Sequence, residues 1–243
     1  MFSGFDFGTS NCAMGVMNEN REVKLLPVDQ GKTFMPSMLY ALDRDLICES
    51  VAMMMADTSL QETSLQKRYM AQRTEQLAKA RRVRSREDIA SGDVSVFVGQ
   101  EAYEQYLNFP GEGYFVKSIK SFLGSNGLHV KAVELFEDIV TAMMLTIKQR
   151  AEQGIGRSIE HTVIGRPVNF QGVDPVESNR RAIDVLTTAA KRVGFRSVEF
   201  LYEPLAAGLD FEMGLSDNNT VLVVDVGGGT TDCSMVRMGP CYR

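Results

Sequence analysis

Two stretches of this sequence set an aspartate, glycine and hydroxyl side chains between apolar runs, a grouping suited to holding a phosphate beside a hydrated cation. Residues 221–236 read VLVVDVGGGTTDCSMV. The flanks have the apolar character of buried strands. The GGGTTD between them is too polar for a core and too glycine-rich for a helix. A hairpin is expected, with a turn built for close approach. Glycine removes the Cβ that keeps a ligand away from backbone N–H groups, and successive N–H groups in one concavity bind anions. The threonines add hydroxyl donors, and Asp225 and Asp232 at the rims suit a hydrated cation. A nucleotide with magnesium meets this description, and so does an ordinary glycine-rich hairpin.

The N-terminus repeats the pattern. Residues 2–17 read FSGFDFGTSNCAMGVM. Asp6-Phe7-Gly8 matches Asp225-Val226-Gly227, and Thr9-Ser10-Asn11-Cys12 matches Thr230-Thr231-Asp232-Cys233 once two extra glycines are allowed for. Two related phosphate hairpins, far apart in sequence, imply two related lobes that face each other with the ligand between them.

The segments between the hairpins read as alternating strands and helices. A third strand is expected near Arg21–Pro27, and MPSMLYAL (35–42) as a strand that enters a separate excursion. Residues 66–86, QKRYMAQRTEQLAKARRVRSR, carry eight Lys or Arg against one Glu. Such a run reads as a solvated helix face or as a patch for RNA or acidic lipid; it lacks the interleaved aromatics of single-strand binders. VSVFVGQEA (94–102) is expected to return as strand and helix start. Residues 130–153 have apolar side chains at helical spacing. HTVIGRPV (161–168) reads as a buried strand. Residues 178–195 read as a helix capped by Ser178 or Asn179, SVEFLYEP (197–204) as a strand, and PLAAGLDFEMG (204–214) as a short helix. The order is that of an α/β protein.

Composition narrows the classes. At 243 residues, with 44% apolar and 23% charged residues, the chain suits one or two globular domains. A net charge of −5 gives no reason to expect nucleic acid or membrane as a main partner. The four cysteines lack C-x-x-C spacing and there are two histidines, which argues against a zinc site. Cys12 and Cys233 occupy equivalent places in the two hairpins and read as buried, inert thiols. With no basic leader and no long apolar span, a cytoplasmic location is expected.

Taken together, FDFGTSN, VVDVGGGTTD, IGRPVNF, YEPLAAGLD and FVKSIKSFLG resemble the ATPase domain of the seventy-kilodalton (DnaK-type) heat-shock chaperones, nearest their YegD-like branch. The resemblance covers nearly the whole chain. It implies an α/β actin-like ATPase (ribonuclease H-like motif) fold. The first lobe would span 1–185, with an inserted small subdomain at about 36–113, and 186–243 would begin the second lobe. ATP or ADP with Mg2+ is the implied cofactor set. Unfolded client proteins or co-chaperones are the implied partners besides nucleotide. By the same resemblance Asp6 holds magnesium through water, with Asp232 completing the outer shell. Gly8, Thr9, Ser10 and Asn11 surround the β- and γ-phosphates, and Gly227, Gly228, Gly229 and Thr230 donate from the opposite lobe. Glu203 and Asp225 order the attacking water, with Asp225 as base. Pro167 and Arg180 resemble the family's switch between nucleotide state and the neighbouring module.

Two departures from the family are expected to matter. Its catalytic lysine is sought after Val98-Gly99-Gln100-Glu101-Ala102, where this chain has Tyr103. A phenol carries no positive charge at neutral pH, so slow hydrolysis is expected unless another cation substitutes. Lys117 and Lys120 are the substitutes to look for. The family's later second-lobe elements have no counterpart before Arg243, so a truncated piece with weak ATP binding is expected. The alternatives are a sugar-type small-molecule kinase of the same fold, a filament-forming actin relative, and a nucleotide-sensing scaffold with decayed ATPase activity.

Overall fold

The computed structural model describes residues 1–18, 22–56, 62–227 and 231–242. The chain opens with β1 (Phe2–Phe7) and β2 (Asn11–Met17), followed by β3 (Val23–Leu25) and β4 (Phe34–Pro36). An excursion then runs through β5 (Met38–Ala41), α1 (Ile47–Ala56), α2 (Glu62–Gln72), α3 (Thr74–Arg86), β6 (Val96–Val98), α4 (Gln100–Asn108) and β7 (Tyr114–Lys117). A 3-10 turn at Ile119–Phe122 leads into α5 (Val130–Ile155), β8 (His161–Arg166), α6 (Pro175–Arg192) and β9 (Ser197–Tyr202). Last come α7 (Glu203–Met213), β10 (Asn219–Val226) and β11 (Thr231–Met238).

The main sheet has the order β3-β2-β1-β8-β9, with β4 also paired to β2. β1 and β2 form the expected hairpin, while β1–β8 and β8–β9 are parallel pairs. Parallel neighbours need long crossovers. The excursion with α5 supplies one and α6 the other. In β1 the alternation buries Phe5 and Phe7 and leaves Gly4 and Asp6 on the open face. The apolar stripe of α5, including Ile139, Val140, Met143, Met144 and Ile147, is fully buried and joins the same core. The methionine pair is therefore core packing, as its spacing implied.

The excursion has a sheet of its own, ordered β6-β5-β7. It runs to Lys117 rather than to 113, because β7 pairs with β5 along Tyr114–Lys117. The lobe boundary expected at 185 falls inside α6, and β9 pairs with β8 in the main sheet. The first lobe's sheet therefore continues to Tyr202. α6 also begins earlier than expected. Asp174, not Ser178 or Asn179, is its cap, accepting from the N–H groups of Val176 (2.9 Å) and Glu177 (3.2 Å). Pro175 follows at the first turn, where a missing N–H costs nothing.

The basic stretch is not simply a solvated face. Arg73, between α2 and α3, is buried. Its Nε donates to Asp138 (3.0 and 3.1 Å) and its Nη2 to Glu137 (2.7 Å). Arg192 of α6 shares both carboxylates, at 3.3 and 2.8 Å. Tyr69 lies beneath both guanidinium groups, 5.8 and 5.1 Å from its ring centre. Arg84 is buried too and donates to Glu49 at 2.5 Å. Two of the basic side chains thus tie the helices of the excursion to one another and to α5 and α6. Among the thiols, Cys12 and Cys48 are buried, but Cys233 is exposed, which corrects the expectation that it is buried.

Candidate functional site

The first hairpin turn owes its tightness to Gly8. A Cβ there would run into the carbonyl oxygen of Asn11, so another residue would force the turn open. Cys12, behind the turn, directs its Sγ to the Gly8 carbonyl (4.0 Å) and to Ser37 Oγ (3.9 Å). Burial pushes this thiol up to about 12, which leaves it protonated and unreactive. The backbone N–H of Ser37 donates to the Ser10 carbonyl at 2.8 Å. The turn is therefore held from below, and Thr9, Ser10 and Asn11 remain at least partly open to solvent.

Asp6 stands at the end of β1 with its side chain on the open face. It is solvent-accessible, yet walled closely enough that desolvation raises its pKa; Lys120 opposes that rise, and Glu203 and Asp225 add to it. The open tip and the raised value describe one geometry, a carboxyl in a cleft rather than on a convex surface. Asp225, from the second hairpin, thus lies within electrostatic reach of Asp6 from the first.

Lys120 enters this group from the 3-10 turn after β7. It is 6% exposed, and its Nζ donates to Glu203 Oε1 at 2.5 Å. Glu203 is the first residue of α7, and Pro204 follows it in the first turn. Gly165 of β8 makes room for the Glu203 side chain: a Cβ there would lie 3.4 Å from its Cγ. A lysine buried against one carboxylate and close to another places a positive charge beside Asp6. Tyr103 lies on α4, 40% exposed. Of the two lysines named as substitutes for the missing cation, Lys120 stands beside Asp6 and Glu203, while Lys117 is exposed at the end of β7.

The second hairpin pairs Asp225 with Asp232 and Val226 with Thr231. The first pairs Phe7 with Cys12. Four residues therefore lie in each turn, and the hairpins correspond without the two-glycine gap assumed from sequence. Asn11 then matches Thr230, and Ala13 matches Asp232. Gly227 is exposed at the end of β10. Gly228, Gly229, Thr230 and the side chain of Asp232 lie outside the described residues. At the far ends of β8 and β9, Arg166 lies over the rings of Tyr202 (4.9 Å) and Phe170 (5.6 Å) and donates to the carbonyls of Pro167 and Val168. Arg180 is exposed on α6.

Two residues beside the site were not singled out from sequence, Ser37 and Gly165, while Lys120 was named only together with Lys117. For Lys120 the signal was its setting in FVKSIKSFLG, a lysine with apolar neighbours before a glycine. Nothing in that string ranks it above Lys117, which is exposed. Ser37 and Gly165 act through backbone bonds and empty space, which leave no mark on residue type.

Comparison with known proteins gives a consistent result. A family profile described as "Hsp70 protein" matches residues 120–241, half of the chain. Heat shock 70 kDa protein 13 of Homo sapiens is 24% identical over 243 residues, covering 96% of this chain and 43% of that protein. The chaperone protein dnaK of Emiliania huxleyi is 25% identical over 238 residues, covering 97% of this chain and 32% of its own length. The chaperone protein DnaK of Mycoplasmopsis agalactiae is 32% identical over 149 residues, or 60% of this chain and 23% of that one. The chain therefore spans less than half the length of these relatives.

Proposed function

Because this chain belongs to the Hsp70 family and has its α/β, actin-like ATPase fold, we propose that it binds ATP or ADP with magnesium between its two hairpins and contributes the hydrolytic site of a chaperone-type ATPase. The observation that carries this reading is the shared field of Asp6, Lys120, Glu203 and Asp225, which comes from both hairpins, the turn after β7 and the start of α7. Among the described residues no three carboxylates stand close enough to ligate a metal directly, so Asp6 and Glu203 beside Lys120, with Asp225 within electrostatic reach, suit the water shell of a divalent cation rather than the ion itself.

Bound magnesium would neutralise charge on the β- and γ-phosphates. Asp6 would hold its water shell, with Asp232 as a second outer partner. Gly8, Thr9, Ser10 and Asn11 surround the phosphates from one side, and Gly227, Gly228, Gly229 and Thr230 from the other. Lys120 places its positive charge where negative charge builds on the transferred group. Glu203 holds Lys120 in place and, with Asp225, orients the attacking water, whose proton passes to Asp225. The work is positioning and charge stabilisation, as phosphoryl transfer requires. Client proteins and co-chaperones are the partners we assign to the protein as a whole, in the cytoplasm.

Single-turnover ATP hydrolysis by the full-length gene product that contains this sequence tests the reading. Lys120→Ala is expected to slow hydrolysis by roughly a hundred- to a thousand-fold, the usual loss of one preorganised electrostatic donor. Tyr103→Lys is expected to leave the rate unchanged. A rate untouched by Lys120→Ala, or raised by Tyr103→Lys, refutes the assignment. Chelation of magnesium should abolish turnover.

A further inference from the structure

We propose that Ser118 is a positioning residue for Lys120, and that its left-handed backbone, not its hydroxyl, is what aims the lysine into the cleft; the inference rests on the reading of the site just given. Ser118 has φ 59° and ψ 42°, a conformation L-residues adopt at a cost. Only Gln30 and Asp88 share a positive φ among the described non-glycine residues.

The consequence is geometric. β7 ends at Lys117, and the reversal at Ser118 converts extended chain into the 3-10 turn whose second residue is Lys120. Ser121 N–H closes that turn on the Ser118 carbonyl at 3.0 Å. Had the strand simply continued, three residues would carry position 120 roughly 10 Å along the strand axis, away from Glu203. The hydroxyl of Ser118 makes no capping bond to the turn, so the side chain has no part in holding it.

The reversal is anchored to the phosphate hairpin itself. Ser118 N–H donates to the Ser37 carbonyl at 2.9 Å, and Ser37 N–H donates to the Ser10 carbonyl at 2.8 Å. Ser37 is 1% exposed, and its hydroxyl receives the Cys12 thiol that also reaches Gly8. A line of backbone bonds thus runs from the first hairpin turn, through Ser37, to the residue that launches the lysine. The lysine and the phosphate loop are set against each other by main chain, which side-chain rearrangement does not loosen.

The test uses Ser118→Gly, Ser118→Ala and Ser118→Val in the full-length protein, with and without Lys120→Ala. Glycine adopts the left-handed conformation freely, whereas a β-branched residue there is a conformational outlier. Ser118→Gly should hydrolyse ATP within about twofold of the unsubstituted protein, Ser118→Ala somewhat more slowly, and Ser118→Val about tenfold or more slowly, with the loss in kcat and little change in KM. Ser118→Val should slow Lys120→Ala no further. A second readout does not need turnover. Acetylation of Lys120 by acetic anhydride, followed by peptide mass spectrometry, should be slow in the unsubstituted protein and in Ser118→Gly, and faster in Ser118→Val. A Val variant with normal rate and protected lysine overturns the proposal. So does a Gly variant as impaired as the Val variant, or a further loss in the Lys120→Ala background. If labelling follows the expected order while the unsubstituted protein hydrolyses no ATP, the functional reading falls and the positioning role stands.

Discussion

Asp6 shows how a single carboxyl serves chemistry at the expense of the fold. The cleft desolvates it and Glu203 and Asp225 crowd it, so its folded pKa lies above the unfolded value despite the pull of Lys120. A raised carboxyl pKa means that the folded state binds the proton more tightly than the unfolded chain does. Stability therefore falls as pH rises through the window above the ordinary aspartate value of 3.8, and at neutral pH the ionised group is a small net burden. Asp6→Asn is accordingly expected to raise the melting temperature slightly at pH 7, only slightly because the carboxyl remains in contact with water. The same substitution should remove magnesium-dependent nucleotide binding, measured by titration calorimetry. A melting temperature that drops on Asp6→Asn would contradict this account. The aspartate was legible in sequence because its repeat around Asp225 marks it. Lys120 was legible only as one of a pair with Lys117, because the choice between them depends on a backbone reversal that no residue type announces.

At the scale of elements, the excursion is tied to the main body by the cluster of Arg73, Asp138, Glu137 and Arg192 around Tyr69. Burial pushes the Asp138 carboxyl up to about 6, against the pull of Arg73 and Arg192. Removing one partner of a buried cluster leaves the others uncompensated, and the typical cost is about 3–5 kcal/mol. Arg73→Ala should therefore lower the unfolding free energy by about that amount in urea titrations, whereas an exposed neighbour such as Arg81→Ala should change it by less than about 0.5 kcal/mol. Equal effects would mean that the cluster adds nothing. The strands and α5 were readable from periodicity, since a period of two or of 3.6 shows within one segment. The role of Arg73 was not, because its partners lie some sixty residues further along the chain, and charge counting alone gave a solvated face. The lobe boundary was missed for a related reason: an amphipathic helix does not say which sheet the next strand joins. The start of α6 was written in Asp174-Pro175, a cap followed by a first-turn proline, and was passed over for the later Ser178.

Across the whole molecule, the thiols report which surfaces the fold has closed. Cys12 and Cys48 are buried and pushed up to about 12, while Cys233 and Cys241 are exposed. A thiol reagent at pH 8 should modify Cys233 and Cys241 quickly and the other two only on unfolding, a pattern that mass spectrometry of the labelled chain resolves. Rapid labelling of Cys12 would show that the first hairpin is not packed as described. The largest pieces of the molecule also converge on a small contact. Lys120 arrives in the turn that follows the last strand of the excursion, and Glu203 begins the helix that contacts β8, β9, β10 and β11. An ammonium ion has only three protons to share, so any polyphosphate that enters the cleft must bid against Glu203 for them. The bond that joins the turn after β7 to α7 would therefore weaken whenever a phosphate took a share of those protons.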